Sequence, residues 1–360
     1  MKHLVMLSMM LVGVCSFAEV TPAQTLWNNG DNGIRVYRIP ALCTAPNGDL
    51  VAACDARTYH GGDLDAKQPI NITIRRSSDN GKTWSEAKYS YHWPWTESSK
   101  WSGSDPSFIV DMEAKKIFLF YNVWDWSTLK NAGEGVYRFY VQESEDNGVT
   151  WSEPRDITED IAFDDPDWKF AGHRSKGGFI FISSGSGVQT KDGTLLHTLV
   201  HVWPGRNAIF GSPDHGKTWK AYGTSTKSGD ECKIVELANG DWMINSRPDW
   251  PGPRTIHISK DQGKTWQTHK DANLQDGRCN AQIMRYGENK LLFSNCKSNR
   301  RDHVTVRVSN DEGKSWSDGV LLCPDYSAYS DMAVLKNGDV GVLYEATNRI
   351  DFQVISKEDL

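Results

Sequence analysis

The chain has 360 residues, of which 24% are charged, 38% hydrophobic and 11% aromatic. A disordered chain is poorer in aromatics, and a collagen-like one repeats glycine at every third place, so both are excluded. The formal net charge of −6 argues against a nucleic-acid binder, which carries a basic excess, and the length suits one large all-β domain.

Lys2 and His3 precede an apolar run from Leu4 to Val14, and Ser16-Phe17-Ala18 supplies small residues at the positions that a signal peptidase reads. The pattern predicts a secretory signal peptide over 1–18, cleaved after Ala18, and hence a secreted or periplasmic protein. No stretch reaches the ~20 apolar residues of a membrane span. Residues 19–360 are expected to form a single domain. Beyond Cys15, six cysteines remain: Cys43, Cys54, Cys232, Cys279, Cys296 and Cys323. Pairing of the strands on either side of Gly287-Glu288 would set Cys279 against Cys296. The pair is then either a cross-strand disulfide or two buried thiols. Without a CxxC or a Cys/His spacing suited to zinc, no metal is expected.

The pattern Ser-x-Asp-x-Gly-x-Thr/Ser-Trp occurs five times, at Ser77–Trp84, Ser144–Trp151, Ser212–Trp219, Ser259–Trp266 and Ser309–Trp316. Each follows a short alternating strand, such as Ile72 to Arg76 or Val304 to Val308. Each reads as a hairpin turn in which the Asp accepts backbone N–H groups, the Gly takes positive φ and the Trp packs back between strands. The loops lack the several carboxylates of a calcium site. A second series of turn signals interleaves with the first: Asn47-Gly48-Asp49, Ala114-Lys115-Lys116, Lys191-Asp192-Gly193, Asn239-Gly240-Asp241, Gly287-Glu288-Asn289 and Asn337-Gly338-Asp339. Together they predict six four-stranded antiparallel sheets in a ring, a β-propeller. The last strand of the sixth sheet is expected from residues around Glu19–Trp27.

Antiparallel alternation puts the boxes, which join strands three and four, at one rim, and the start of strand one and the end of strand two at the other. That second rim collects Arg38, Asp55, Arg57, Asp63, Asp65, Asp105, Asp230, Glu231, Arg247, Arg300, Arg301, Tyr329 and Glu345. Singly, each reads as a solvated surface group; their convergence marks a site. Trp93, Trp95, Trp101, Trp124 and Trp126 at the same rim read either as pocket floor or as core.

The Tyr37-Arg38-Ile39-Pro40 opening, the repeated boxes, the segment from Glu231 to Asn245-Ser246-Arg247, and Leu343-Tyr344-Glu345 together resemble the exo-α-sialidases (neuraminidases) of bacterial type, from about Tyr37 to Glu345. The resemblance implies that Arg38, Arg247 and Arg301 bind a sialic acid carboxylate. It further implies Tyr329 as nucleophile, Glu231 as its base, Asp65 as acid/base, Glu345 as the carboxylate orienting Arg38, and Arg57 and Asp105 near the sugar's O4. Arg300 beside Arg301 and Asp63 beside Asp65 leave a slip of register open in both loops. The substrate class implied is a sialylated glycan, bound without cofactor, nucleic acid or membrane insertion by a monomer. Transfer to another sugar, an intramolecular (anhydro-forming) reaction and a non-catalytic sialoglycan-binding propeller stand as alternatives. A lectin has no need of Asp65, Glu231 and Tyr329 together.

These residue types suit that chemistry. Arginine forks bind a carboxylate bidentately. A carboxylate nucleophile would meet the carboxylate at the sugar's anomeric carbon with like charge. A tyrosine relieved of its proton by a glutamate avoids the repulsion, which is the exception that sialidases make among glycosidases.

Overall fold

A computed structural model describes residues 18–127, 137–162, 180–202 and 205–360; the predicted signal peptide apart from Ala18, and with it Cys15, lies outside these residues. The chain is all-β. It begins with β1 (Gln24–Asn28), followed by a first sheet of β2 (Val36–Thr44), β3 (Leu50–Arg57), β4 (Ile70–Ser77) and β5 (Lys88–Tyr89). A second sheet holds β6 (Trp101–Asp111), β7 (Lys116–Asp125), β8 (Tyr137–Ser144) and β9 (Arg155–Asp156). Next come β10 (Ile180–Ile182), β11 (Gly185–Ser186), β12 (Val188–Gln189), β13 (Leu195–His201), β14 (Arg206–Ser212) and β15 (Lys220–Tyr222). Here β10 and β12 both pair with β13, while β11 pairs in parallel with β6. The fourth sheet is β16 (Cys232–Glu236), β17 (Trp242–Ser246), β18 (Gly252–Ser259) and β19 (Gln267–Asp276).

The last strands are β20 (Gln282–Tyr286), β21 (Lys290–Cys296), β22 (Asp302–Ser309), β23 (Val320–Val334), β24 (Val340–Ala346) and β25 (Arg349–Ile355). They follow one another in a single order of seven strands with β1 at its edge, and the pairings divide within β23 into two groups of four. The cause is β23, which runs for 15 residues without a turn. Its first half pairs with β22 and its second with β24, so one strand ends one unit and opens the next. At the edge, β1 pairs antiparallel with β25, from Gln24 opposite Phe352 to Asn28 opposite Arg349. The N-terminal segment therefore completes the C-terminal unit.

Each interleaved turn signal joins the first two strands of its unit, and each box joins the third and fourth. In the first box Ser77 Oγ donates to Asp79 Oδ1 at 2.8 Å and accepts from Gly81 N at 2.9 Å. Asp79 accepts from Thr83 N and Thr83 Oγ1 at 2.9 and 2.6 Å. The same bonds recur around Asp146, Asp214, Asp261 and Asp311. The glycine is required at Gly216, where φ is +80° and a Cβ would lie 2.2 Å from the Phe118 ring of the sheet before. Gly148 meets Val51 of the first sheet, and Gly81 meets Phe352 of the last, in the same way. The boxes thus buttress one sheet against its predecessor, and the first sheet against the last.

The first strands of the units pack side by side, β2 against β6 and β23, β12 against β6 and β16, and β20 against β16 and β23. Apolar clusters fill the spaces between sheets, one of them built from Leu42, Leu50, Leu343 and Phe352. Among the described residues no helix is long and apolar enough to cross a membrane.

The boxes make two measurable contributions. Hydrogen bonds from residues 83, 265 and 315 hold Asp79, Asp261 and Asp311 down at about 2, against an ordinary 3.8. A depressed folded value means stability that is present above pH ~4 and lost as the pH falls toward 2. Asp214→Ala removes the same bonds at the third box and is expected to lower the melting temperature by about 2–5 °C with activity at ambient temperature unchanged. Lost turnover with unchanged melting, followed by calorimetry and initial rates, would contradict a purely structural role.

Candidate active site

Three first strands are broken by a bulge at the rim opposite the boxes. Pairing of β2 with β3 shifts between Arg38 and Ala41, that of β6 with β7 between Ser104 and Ser107, and that of β23 with β24 between Ser327 and Ser330. Ile39 and Asp105 take left-handed φ of 59° and 63°, each just before a proline. A β-branched residue in that region is a true outlier, and bulges characteristically re-aim side chains at functional sites. Here they turn Arg38, Asp105 and Tyr329 toward one point.

Tyr329 is buried at that point. Its hydroxyl donates to Glu231 Oε2 at 2.7 Å and accepts from Arg247 Nη1 at 3.1 Å. The same Arg247 nitrogen donates to Glu231 Oε2, closing a three-membered network. The guanidinium carbons of Arg38 and Arg301 each lie 5.4 Å from the centre of the Tyr329 ring. Burial and the Glu231 charge push the Tyr329 hydroxyl well above its ordinary value, against the pull of the three arginines. The phenol therefore stays protonated and hydrogen-bonded to the Glu231 carboxylate.

Glu345 holds Arg38 and the strained backbone together. It accepts from Arg38 Nε at 3.1 Å, from Arg38 Nη2 at 3.5 Å and from Ile39 N at 2.9 Å. Burial alone would lower the Arg38 value, but Glu345, Tyr329 and Asp63 keep it raised. Arg38 Nη1 is left with Asp63 Oδ1, at 3.4 Å.

A second charged cluster adjoins the first. Asp55 and Arg57 are both fully buried, and Asp55 Oδ2 accepts from Arg57 Nε and Nη2 at 3.1 and 2.9 Å. Asp55 also accepts from Ser104 Oγ at 2.5 Å and from Asp105 N at 3.0 Å, which fixes the second bulge. Arg57 Nη1 reaches Asp63 Oδ1 at 2.7 Å. Burial raises Asp63, but Arg57 and Arg38 outweigh it and leave the carboxyl below its ordinary value. Burial and the neighbouring Asp55 charge push Asp105 well above its own.

All nine expected site residues meet at this rim. A cavity of about 200 Å³ is bounded by Asp63, Asp65, Asp105, Glu231, Arg247 and Tyr329, together with Ile39, Leu64, Tyr137, Phe181 and Asp230. Both members of the Asp63/Asp65 pair reach it. Of the adjacent arginines, Arg301 is the one over Tyr329. Sequence reasoning placed Asp55 at the rim but gave it no role, although Asp-x-Arg on an alternating strand sets both charges on one face. Tyr137 and Phe181 carried no signal. Trp93, Trp124 and Trp126 are buried, and Trp93 stacks on Trp101, and Trp124 on Trp126, with ring centres 5.7 and 5.2 Å apart. None of the five tryptophans named at this rim bounds the cavity. Trp95, Trp124 and Trp126 pack with Leu64 and Tyr137 of its wall, Trp124 edge-on to Tyr137 at 4.4 Å.

Of the two readings for Cys279 and Cys296, the structure has the thiols. All six described cysteines are free, and these two are buried. Their mutual hydrogen bond raises the Cys296 thiol, and Cys296 Sγ donates to Ser327 O at 3.3 Å beside the third bulge. Among the described residues no group of His, Cys, Asp and Glu side chains is disposed to hold a metal ion.

Residues 48–342 match the family described as BNR repeat-like domain, and the chain belongs to that family. It is 35% identical over 348 residues to a sialidase of Micromonospora viridifaciens, covering 89% of this chain and 52% of that protein. It is 27% identical over 361 residues to a sialidase of Bacteroides fragilis, covering 92% of this chain and 64% of that one. The chain thus spans between half and two thirds of the length of these curated relatives. The solved structure of the Hadza microbial sialidase Hz136 superposes with a TM-score of 0.79 at 26% identity, over 94% of this chain and 69% of that one.

The Asp55–Arg57 pair supports both clusters, so breaking it is expected to be costly. Asp55→Ala leaves a fully buried guanidinium without its main counter-charge, at a cost of about 3–5 kcal/mol. Thermal melting should fall by about 10 °C, and unchanged melting would contradict the anchoring role.

Proposed function

We propose that this protein is an exo-α-sialidase, which releases terminal α-linked sialic acid from glycans with retention of configuration, and that its sheets close as a six-bladed propeller around the site. The observation that carries the reading is the Tyr329–Glu231–Arg247 network with Arg38 and Arg301 over the same ring. A phenol hydrogen-bonded to a carboxylate and surrounded by arginines suits an anionic sugar and a neutral nucleophile. Buttressing of the first sheet against the last supports ring closure. Export through the predicted signal peptide would bring the enzyme to extracellular glycans.

In this mechanism Arg38, Arg247 and Arg301 bind the substrate carboxylate. Tyr329 passes its proton to Glu231 as its oxygen bonds to the anomeric carbon and the glycosidic C–O bond breaks. An aspartic acid of the 61–65 loop protonates the departing oxygen, then deprotonates the water that displaces Tyr329. Of the two candidates in that loop, the geometry favours Asp63 over Asp65. Asp63 Oδ1 sits against Arg38 Nη1, beside the place where the carboxylate and hence the anomeric carbon must lie. Arg57 and Arg38 hold the Asp63 carboxyl below its ordinary value. An incoming carboxylate offsets that positive field and raises Asp63 toward the protonated form that the first step needs. Asp105, which bounds the cavity, would face the ring hydroxyls, and the buried Arg57 would act through Asp63 and Asp55.

A panel of variants tests this reading. Tyr329→Phe is expected to lose on the order of 10³-fold in kcat on sialyllactose with the fold intact, since the residual rate lacks the nucleophile; an undiminished rate would refute the assignment. Asp63→Asn should lose far more on sialyllactose than on an aryl sialoside, whose leaving group needs no proton. The same selective loss in Asp65→Asn, and not in Asp63→Asn, would move the role two residues along.

A further inference from the structure

The cavity behind Tyr329 has room for one sugar ring, so the rest of any glycan has to lie across the mouth, outside it. One feature of that mouth takes part in none of the steps above. Trp250 follows Arg247 by three residues, in the connection from β17 to β18, and is 77% exposed, more than any other large apolar side chain described. The guanidinium carbon of Arg278, in the connection from β19 to β20, lies 5.7 Å from the centre of its ring. Arg278 O in turn accepts from Arg301 Nη2 at 3.4 Å. The stacked pair is thereby tied to two of the three arginines around Tyr329, one along the chain and one through a hydrogen bond.

The backbone beneath the pair is strained and closely packed. Arg278 has a left-handed φ of 60°, which costs a non-glycine residue roughly 1 kcal/mol or more. Its neighbour Gly277 lies so close to the Arg300 carbonyl that a Cβ there would fall 1.8 Å from the oxygen. The Arg278 connection is pressed against the loop that carries Arg301. An isolated exposed tryptophan is unremarkable on a protein surface. One stacked on an arginine, held in a set position at the mouth of a sugar-sized cavity, is not isolated in that sense. An indole face offers an apolar platform to the C–H face of a pyranose, and a guanidinium offers donors to its hydroxyls.

We infer that Trp250 and Arg278 form a subsite for the neutral pyranose joined to the sialic acid, and so select glycosides whose leaving group is a sugar. The inference rests on the sialidase reading. Trp250 makes no contact with the reacting atoms; its contribution is to affinity for the leaving sugar.

Two substrates separate the possibilities: sialyllactose, whose leaving group is a sugar, and methyl α-sialoside, whose leaving group is also an alcohol but carries no ring. Trp250→Ala is expected to lower kcat/KM for sialyllactose about 10-fold, mainly through a higher KM, and to leave kcat/KM for methyl α-sialoside within about twofold. Trp250→Phe should recover part of the loss, and melting should match the parent because the side chain is exposed. Equal losses on both substrates, or none on sialyllactose, would overturn the subsite while leaving the sialidase reading standing. A parent enzyme that cleaves neither sialoside would overturn that reading and the subsite with it.

Discussion

Bringing three guanidinium groups around one phenol is the constraint to which the rest of this rim answers. Like charges this close repel, and the Arg38 and Arg247 charges do act on Arg301 in that sense. Two of the three meet carboxylates, Arg38 with Glu345 and Arg247 with Glu231 and Asp230, while Arg301 donates to Arg278 O; Arg57 close by meets Asp55. The Arg38–Glu345 pair joins residues 307 apart in sequence and so ties the first sheet to the last strands, whereas Arg247 and Arg57 meet carboxylates close by in the chain. Arg38 Nη1 reaches Asp63 Oδ1 at 3.4 Å, where the Asp63 side chain is exposed at the rim.

The same residues hold the backbone out of regular geometry. Glu345 accepts from the N–H of strained Ile39, and Asp55 from the N–H of Asp105, at the bulges that aim Arg38 and Asp105. Each such conformation costs of order 1–3 kcal/mol and persists only where its surroundings dictate it. Two residues along from Glu231 and Tyr329, Lys233 and Asp331 are buried. Lys233 Nζ donates to Asn280 Oδ1 at 2.8 Å, and Asp331 accepts from Leu42 N and Ser186 Oγ, both at 2.8 Å. Gly185 lies between them, where a Cβ would come 2.8 Å from Lys233 Cε. Polar contacts thus continue along the axis beneath Tyr329, and the site rests on a fixed floor.

Much of this was legible in the sequence, because the devices that set it are local. A Ser-x-Asp box closes its own hydrogen bonds, and an Asn-Gly-Asp turn needs no distant partner, so both announce strand order and hence the rim on which Arg38, Arg247 and Tyr329 fall. What escaped was set by tertiary contacts. Nothing local marks Ile39 as left-handed, since its strain is held by Glu345 about three hundred residues away. The continuous β23 escaped because two units share a strand where a turn was expected. The rim tryptophans were ambiguous for a related reason, as only packing decides that Trp93 and Trp124 turn inward while Trp250 stays open. In the 61–65 loop, spacing leaves Asp63 and Asp65 equivalent, and the contacts of Asp63 with Arg57 and Arg38 come from tertiary packing.

The central claim is that Tyr329 attacks the anomeric carbon and water later displaces it, two inversions that together retain configuration. A proton NMR time course of residues 19–360 with sialyllactose reads this directly. The account predicts that α-sialic acid appears first and mutarotates to the β-anomer only afterwards. First release of the β-anomer would contradict it, because a single displacement by water leaves the tyrosine without a covalent role.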